Sequence, residues 1–123
     1  MSKIRQKRTA ERIRIILSTL ALRDIRDPRL QDITITAVEI DRELQYADVY
    51  VNALGDDSRQ EEVMAALSKA TSYMRRELAS RLTTRTTPRL HFHWDPSLAR
   101  AEHISQLLDN LDIPEEIEEV GDT

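Results

Sequence analysis

Apolar residues recur at helical spacing near the start of the chain. The row Ala10, Ile13, Ile16, Leu17 and Leu20 forms one stripe along a helix. The stripe predicts a first helix from about residue 3 to residue 23. Asp27 precedes Pro28, and a residue before proline is biased away from helical conformation, so the chain is expected to turn there.

Two segments rich in β-branched residues follow the turn. Residues 33–40 and 44–53 alternate apolar and polar side chains. The segment between them, residues 41–43, is short and polar. This pattern predicts a β-hairpin. The phase of alternation slips midway along the first strand, which predicts a β-bulge near Ala37.

A second row of apolar residues predicts another helix after the hairpin. Its members are Val63, Leu67, Ala70, Met74, Leu78 and Leu82. Asp57 or Ser58 is the expected N-cap. The weak helix formers Ala70, Thr71 and Ser72 interrupt the row, and hydroxyl groups that bond back to a preceding carbonyl bend helices. We therefore expect a kink at these residues, with two helical segments meeting near Ser72.

The last part of the chain predicts one strand, one helix and an acidic tail. Leu90, Phe92 and Trp94 alternate with polar residues, as in a half-buried strand. A helix is expected over about residues 98–111, and residues 112–123 form an acidic run expected to be disordered. The order α-β-β-α(kink)α-β-α describes an α+β domain, residues 1–111, with a three-stranded sheet covered on one face by helices.

Charge is segregated along the 123 residues, although the net charge is only −4. Residues 1–30 carry nine lysines and arginines against three acidic residues, and residues 69–89 carry six against one. The segments 31–68 and 90–123 each hold nine acidic residues. A fold that brought the two basic blocks together would create a face that attracts a polyanion. The alternative is that these charges are ordinary solvated helix surface.

Composition excludes several classes of protein. The chain has no cysteine, which excludes disulfides and cysteine-ligated metals. No stretch approaches the 18 or so apolar residues of a membrane span, and the basic N-terminal segment lacks the apolar core of a signal peptide. We expect a cytoplasmic protein with no membrane association.

Three stretches, in this order along the chain, carry a resemblance to a known family. They are residues 26–30 (RDPRL), 46–51 (YADVYV) and 88–98 (PRLHFHWDPSL). With the element order, they resemble the ribosome-binding factor A family, bacterial assembly factors of the small ribosomal subunit with a KH-like fold of type II. The resemblance covers about residues 3–111.

The resemblance implies a non-enzymatic protein without cofactors that binds the immature small subunit and its rRNA near the decoding region. It further implies a monomer that assists maturation of the 5′ region of that RNA, serves growth in the cold and is released by a GTPase. KH domains usually grip RNA with a Gly-x-x-Gly loop. Glycine occurs here only at positions 55 and 121. The family replaces this loop with a kink built on Ala-x-Gly, and Ser72 stands here where that glycine is expected.

The candidate RNA-binding residues come from both basic blocks and from the turn. On the first helix, Arg5, Arg8 and Arg12 lie on one flank of the apolar stripe and Lys7 on the other, free to reach phosphates. Arg29 is the candidate in the turn. The candidates around the predicted kink and beyond it are Lys69, Ser72, Arg75, Arg76, Arg81, Arg85 and Arg89.

Other functions stay open at this stage. Tyr46 and Tyr50 are expected on the other face of the sheet, beside His91 and His93, where they would either stack bases or shield the sheet. A metal-dependent hydrolase is a rival, because His91, His93 and Asp95 alternate on one strand. His103 is the only other histidine, and a catalytic metal site would also need positioned partner residues and usually a pocket. A serine hydrolase is not indicated, because the chain has neither a Gly-x-Ser-x-Gly elbow nor a Gly-rich phosphate loop. A module whose basic face binds an acidic protein is the third hypothesis.

Overall fold

The computed structural model describes residues 2–53 and 57–96. The first helix, α1, spans Lys3–Thr19 and continues as a π-helical turn over Leu20–Asp24, which confirms the predicted helix. Ser2 caps its start by accepting a hydrogen bond from the Arg5 amide. Ile13, Leu17 and Leu20 are fully buried, so the apolar stripe faces the core.

The turn after α1 is fixed by one aspartate. Asp27 caps the 3-10 turn Pro28–Leu30 by accepting from the Arg29 amide, and its carboxylate lies 2.7 Å from the Arg29 guanidinium. These hydrogen bonds from Arg29 lower the pKa of Asp27 to about 2. Leu30 is buried and anchors the turn to the core.

The predicted hairpin and bulge are confirmed. Strand β1, Ile33–Ile40, pairs antiparallel with strand β2, Tyr46–Ala53, and the register shifts between Ile35 and Ala37. Strand β2 begins two residues later than predicted. Leu44 instead adopts a positive φ of 56° in the turn, where its side chain is buried.

The second helix differs from the prediction at its start and in its middle. Helix α2 is one unbroken helix, Gln60–Arg81, so the expected division into two segments near Ser72 is not found. The Thr71 hydroxyl does donate to the Leu67 carbonyl, but this back-bond leaves the helix continuous. The predicted caps are wrong because a 3-10 turn, Asp57–Arg59, precedes the helix. Its N-cap is therefore Arg59, which makes no side-chain capping bond.

Strand β3, Arg89–Trp94, pairs parallel with β2 and completes a sheet of order β1-β2-β3. Helix α1 packs mainly on β1 and α2 mainly on β3, and both contribute to one core. The predicted α+β class is confirmed, with the opposite face of the sheet exposed in the described part of the chain. No helix in the described ranges is long and apolar enough to cross a membrane. The predicted helix 98–111 and the tail lie outside the described residues.

The Asp27 turn predicts a specific loss of stability in acid. Its pKa is about 2 in the folded protein, below the value of about 3.9 expected in the unfolded chain. The depressed pKa means that the ionised carboxylate stabilises the fold fully above about pH 4, and that this contribution is lost as the pH falls toward 2. We expect Asp27→Asn to lower the melting temperature at pH 6 and the difference to shrink by pH 2.5. A difference that does not change with pH would contradict this.

Candidate nucleic-acid interface

An open groove of about 750 Å³ lies between α2 and β3. We call it the α2 groove. Its cations are Arg75, Arg76 and Arg89, and the exposed Ser72 adds a hydroxyl at the position of the predicted kink. Helix α2 and strand β3 thus bring together four of the predicted RNA-binding residues, namely Ser72, Arg75, Arg76 and Arg89.

The three arginines of the α2 groove have different surroundings. Arg75 donates from Nε to the Pro88 carbonyl at 3.3 Å and from its terminal nitrogen to the Thr87 carbonyl at 3.1 Å. The Arg76 guanidinium lies 5.9 Å from the centre of the Tyr73 ring, a cation–π distance. Arg75 therefore fixes the wall of the groove, whereas Arg76 keeps its guanidinium donors available among the described residues.

A second groove, of about 690 Å³, lies where α1 meets the end of α2. We call it the α1 groove. It is lined by Arg5, Arg8 and Arg12 from α1 and by Arg81 from α2. The Arg12 guanidinium donates to the Arg81 carbonyl at 3.3 Å. The two basic blocks of the sequence are therefore in direct contact here, as a shared basic face requires.

A third groove, of about 580 Å³, lies between the hairpin turn and the segment joining α2 to β3. It shares Arg5, Thr9 and Thr83 with the α1 groove, so the two are continuous. The Thr86 hydroxyl donates to the Leu44 carbonyl and holds the segment on the hairpin. We use the name basic rim for the arginines of the three grooves, which are Arg5, Arg8, Arg12, Arg42, Arg75, Arg76, Arg81, Arg85 and Arg89.

Arg42 is the member of the rim that sequence reasoning missed. It lies between Asp41 and Glu43 in an acidic block, so local charge gives no signal for it. Three predicted residues lie off the rim. Lys7 lines a separate groove beside β1, Lys69 lies in a small groove near Asp27, and Arg29 is paired with that aspartate. Their contact with RNA stays a prediction.

The exposed sheet face carries a ladder of aromatic rings, as expected. The rings of Tyr46 and His91 are 5.4 Å apart, and those of Tyr50 and His93 are stacked at 5.1 Å. His93 Nε2 lies 2.8 Å from the Asp48 carboxylate. The rings are thus already paired with each other across the two strands.

The electrostatics of this face disfavour a phosphate backbone. The pKa of Tyr50 is raised, first by the charge of Glu39, then by burial and by the charges of Asp48 and Asp95. A site with that field repels anions. The shielding alternative for the two tyrosines therefore fits the structure better than base stacking.

The metal hypothesis finds no site in the described ranges, where no group of three histidine, aspartate or glutamate side chains is placed to hold an ion. Asp95 accepts a hydrogen bond from the Thr36 hydroxyl, and Asp48 is the carboxylate that faces both histidines. The expected ligand face of His91, His93 and Asp95 does not assemble. A hydrolase built on it is not supported.

Comparison with known proteins gives a consistent result. The model of the family described as ribosome-binding factor A matches residues 5–108. A protein of that name from Chromohalobacter salexigens is 37% identical over 107 residues, covering 85% of this chain and 82% of its own. One from Alcanivorax borkumensis is 42% identical over 106 residues, covering 85% and 77%.

The solved structures that this chain resembles carry the same name. The crystal structure of ribosome-binding factor A from Thermus thermophilus has a TM-score of 0.64 at 27% identity, covering 72% of this chain and 93% of that chain. A solution structure of a Thermotoga maritima protein, described as a putative ribosome binding factor A, has a TM-score of 0.66 at 30% identity, covering 76% and 89%. A homology model of the Thermus thermophilus protein, fitted into a cryo-EM map of its complex with the 30S subunit, has a TM-score of 0.59 at 29% identity, covering 71% and 91%.

The surroundings of Arg75 and Arg76 predict different effects on stability. Arg75→Gln removes hydrogen bonds to two backbone carbonyls and should lower the free energy of unfolding by about 1 kcal/mol. Arg76→Gln removes an exposed charge and should change it by less than about 0.5 kcal/mol. Urea unfolding of the two variants checks this. Equal destabilisation would show that Arg75 does not fix the groove wall.

Proposed function

Because the chain belongs to the ribosome-binding factor A family, we propose that it binds the immature small ribosomal subunit through rRNA and assists maturation of the 5′ region of that RNA. The fitted complex of the Thermus thermophilus relative with the 30S subunit supports the choice of partner. The KH-like fold supports RNA as the ligand. The basic rim is the proposed contact surface.

The observation that carries the proposal is a run of exposed guanidinium groups without carboxylate partners. Within the basic rim, among the described residues, they belong to Arg5, Arg8, Arg42, Arg76, Arg85 and Arg89. Arg12 and Arg75 also lack a carboxylate, but their guanidinium groups donate to backbone carbonyls. An exposed guanidinium with free donors suits bidentate contact with phosphate. Arg81 contributes less charge, since it lies 3.4 Å from both Asp24 and Glu77.

The proposed mechanism follows from which atoms reach the RNA. A Gly-x-x-Gly loop lets phosphates approach the backbone, whereas here arginine side chains on α1, α2 and β3 extend toward them. Phosphate contacts set position and carry no sequence information. We therefore expect the protein to select the shape of a folded rRNA segment, with affinity that falls steeply as salt rises.

The finer parts of the proposal rest on the family resemblance. They are a non-enzymatic role, action as a monomer in the cytoplasm, importance in the cold and release by a ribosome-associated GTPase. Sedimentation of cell extract tests the central claim. We expect the protein to travel with free small subunits and to be absent from joined ribosomes, and an even distribution over both would contradict a role before translation.

The rim predicts which substitutions weaken binding without unfolding the protein. The variant carrying Arg76→Gln and Arg89→Gln should bind small-subunit RNA more weakly. The slope of log affinity against log salt should fall by about 0.7 for each lost contact to a single strand. The melting temperature should stay close to that of the unaltered protein, because both side chains are exposed.

The matched control removes two exposed arginines that line none of the three grooves. Arg23→Gln with Arg26→Gln changes the net charge by the same amount. Filter binding over a salt series should show a normal slope for the control. If both double variants lose the same affinity, net charge rather than the rim determines binding.

A further inference from the structure

The α1 groove exposes large apolar side chains, whereas the leucines that line the other two grooves, Leu90 and Leu44, are buried. Ile15 is 52% exposed and lines the groove with the half-buried Ile16. Ile4, three turns earlier on the same outer face of α1, is 67% exposed. Single exposed apolar residues are common, but these share one helix face and flank Arg8. A phosphate backbone has no apolar group to place there.

The charge of the α1 groove is strongly positive. In the described part of the chain, Arg5, Arg8 and Arg12 have no carboxylate partner. Glu11 is the acidic residue of the lining, and it pairs with Arg14 on the other side. The hydrogen bond from Arg14 lowers the pKa of Glu11, so this carboxylate stays ionised and bound to Arg14. The groove therefore suits a ligand with both carboxylates and apolar side chains.

We propose that residues 113–122 of the acidic tail dock in the α1 groove. The tail has the required composition. Its apolar residues Ile113, Ile117 and Val120 are separated by the glutamate pairs 115–116 and 118–119. The glutamates would meet Arg5, Arg8 and Arg12 while the apolar residues contact Ile15 and Ile4.

The chain is long enough for this contact. From Pro96, the last described residue, to Ile113 there are 17 residues, which span up to about 56 Å when extended. With residues 98–111 helical, as the sequence predicts, the reach is still about 30 Å. A compact domain of about 90 residues is roughly 30 Å across. An extended linker can therefore reach the groove by a path over the surface, and a helical one only by a direct path.

Docking within one chain needs little affinity. A short tether gives an effective concentration on the order of millimolar, so weak ionic and apolar contacts suffice. Occupation would cover Arg5, Arg8 and Arg12 until a stronger polyanion displaced the tail. This consequence, competition with rRNA, rests on the proposed function, whereas docking in the free protein does not.

A nitroxide label at the end of the tail tests the docking directly. The chain has no cysteine, so Thr123→Cys gives a single labelling site. We expect paramagnetic broadening of the amide signals of Arg8, Arg12 and Ile15, and none at Tyr50 or His93 on the opposite sheet face. The broadening should disappear at about 1 M salt, where the Debye length is about 3 Å. Broadening that is absent, or equal on both faces, overturns the proposal.

Matched variants separate the specific contact from general attraction. Changing Glu115, Glu116, Glu118 and Glu119 to glutamine should abolish the broadening, and so should Arg8→Gln with Arg12→Gln. The control with Arg23→Gln and Arg26→Gln should keep it. Loss in the control, or broadening that grows with protein concentration, would show net-charge attraction or contact between two copies and overturn the proposal.

Measuring RNA binding by the tail variant distinguishes this proposal from the proposed function. The glutamine variant of the tail should bind small-subunit RNA more tightly at low salt, and the difference should vanish at high salt. Tail docking in a protein that binds no RNA would sink the proposed function and leave the docking intact. If the protein binds RNA but the labelled tail does not broaden the groove signals, the docking proposal is overturned and the proposed function stands.

Discussion

Burial of both long helices on one face of the sheet is the constraint that the rest of the structure depends on. Ile13 and Leu17 of α1 and Met74 and Leu78 of α2 have no exposed surface, and a three-stranded sheet of this length offers one apolar face to cover. Each fully buried side chain of this size contributes about 1.5–3 kcal/mol. The polar flanks of the two helices must then lie along the edges of the layer, where the basic blocks meet.

The local elements were predictable because their signals are local. Alternation identified the hairpin and even the bulge near Ala37, since a slip in phase moves side chains to the other face. The start of α2 was not predictable in the same way. The residues expected to cap it form a 3-10 turn instead. The Thr71 hydroxyl bonds back to Leu67 within a continuous helix, because Leu67 and Met74 on either side of it are both buried in the core.

The site was predictable as a list of arginines but not as a geometry. Arg75 and Arg76 are adjacent in sequence and equal in charge. They differ because the carbonyls of Thr87 and Pro88, more than ten residues away, face one of them and not the other. Arg42 joins the rim from an acidic segment for the same reason, since tertiary contact rather than local composition places it.

The segment joining α2 to β3, residues 82–88, contains no glycine and is held by side chains. A glycine loop is useful because it lacks side chains, and it loses more conformational entropy on ordering as a result. Here Arg75 donates to the carbonyls of Thr87 and Pro88, Thr86 donates to the Leu44 carbonyl, and Pro88 is buried. These contacts fix the segment between the α2 groove and the third groove, and preorganised surfaces lose less free energy on binding. The proposed phosphate contacts come from long arginine side chains and not from a glycine backbone, so the proposal does not require glycine at position 72.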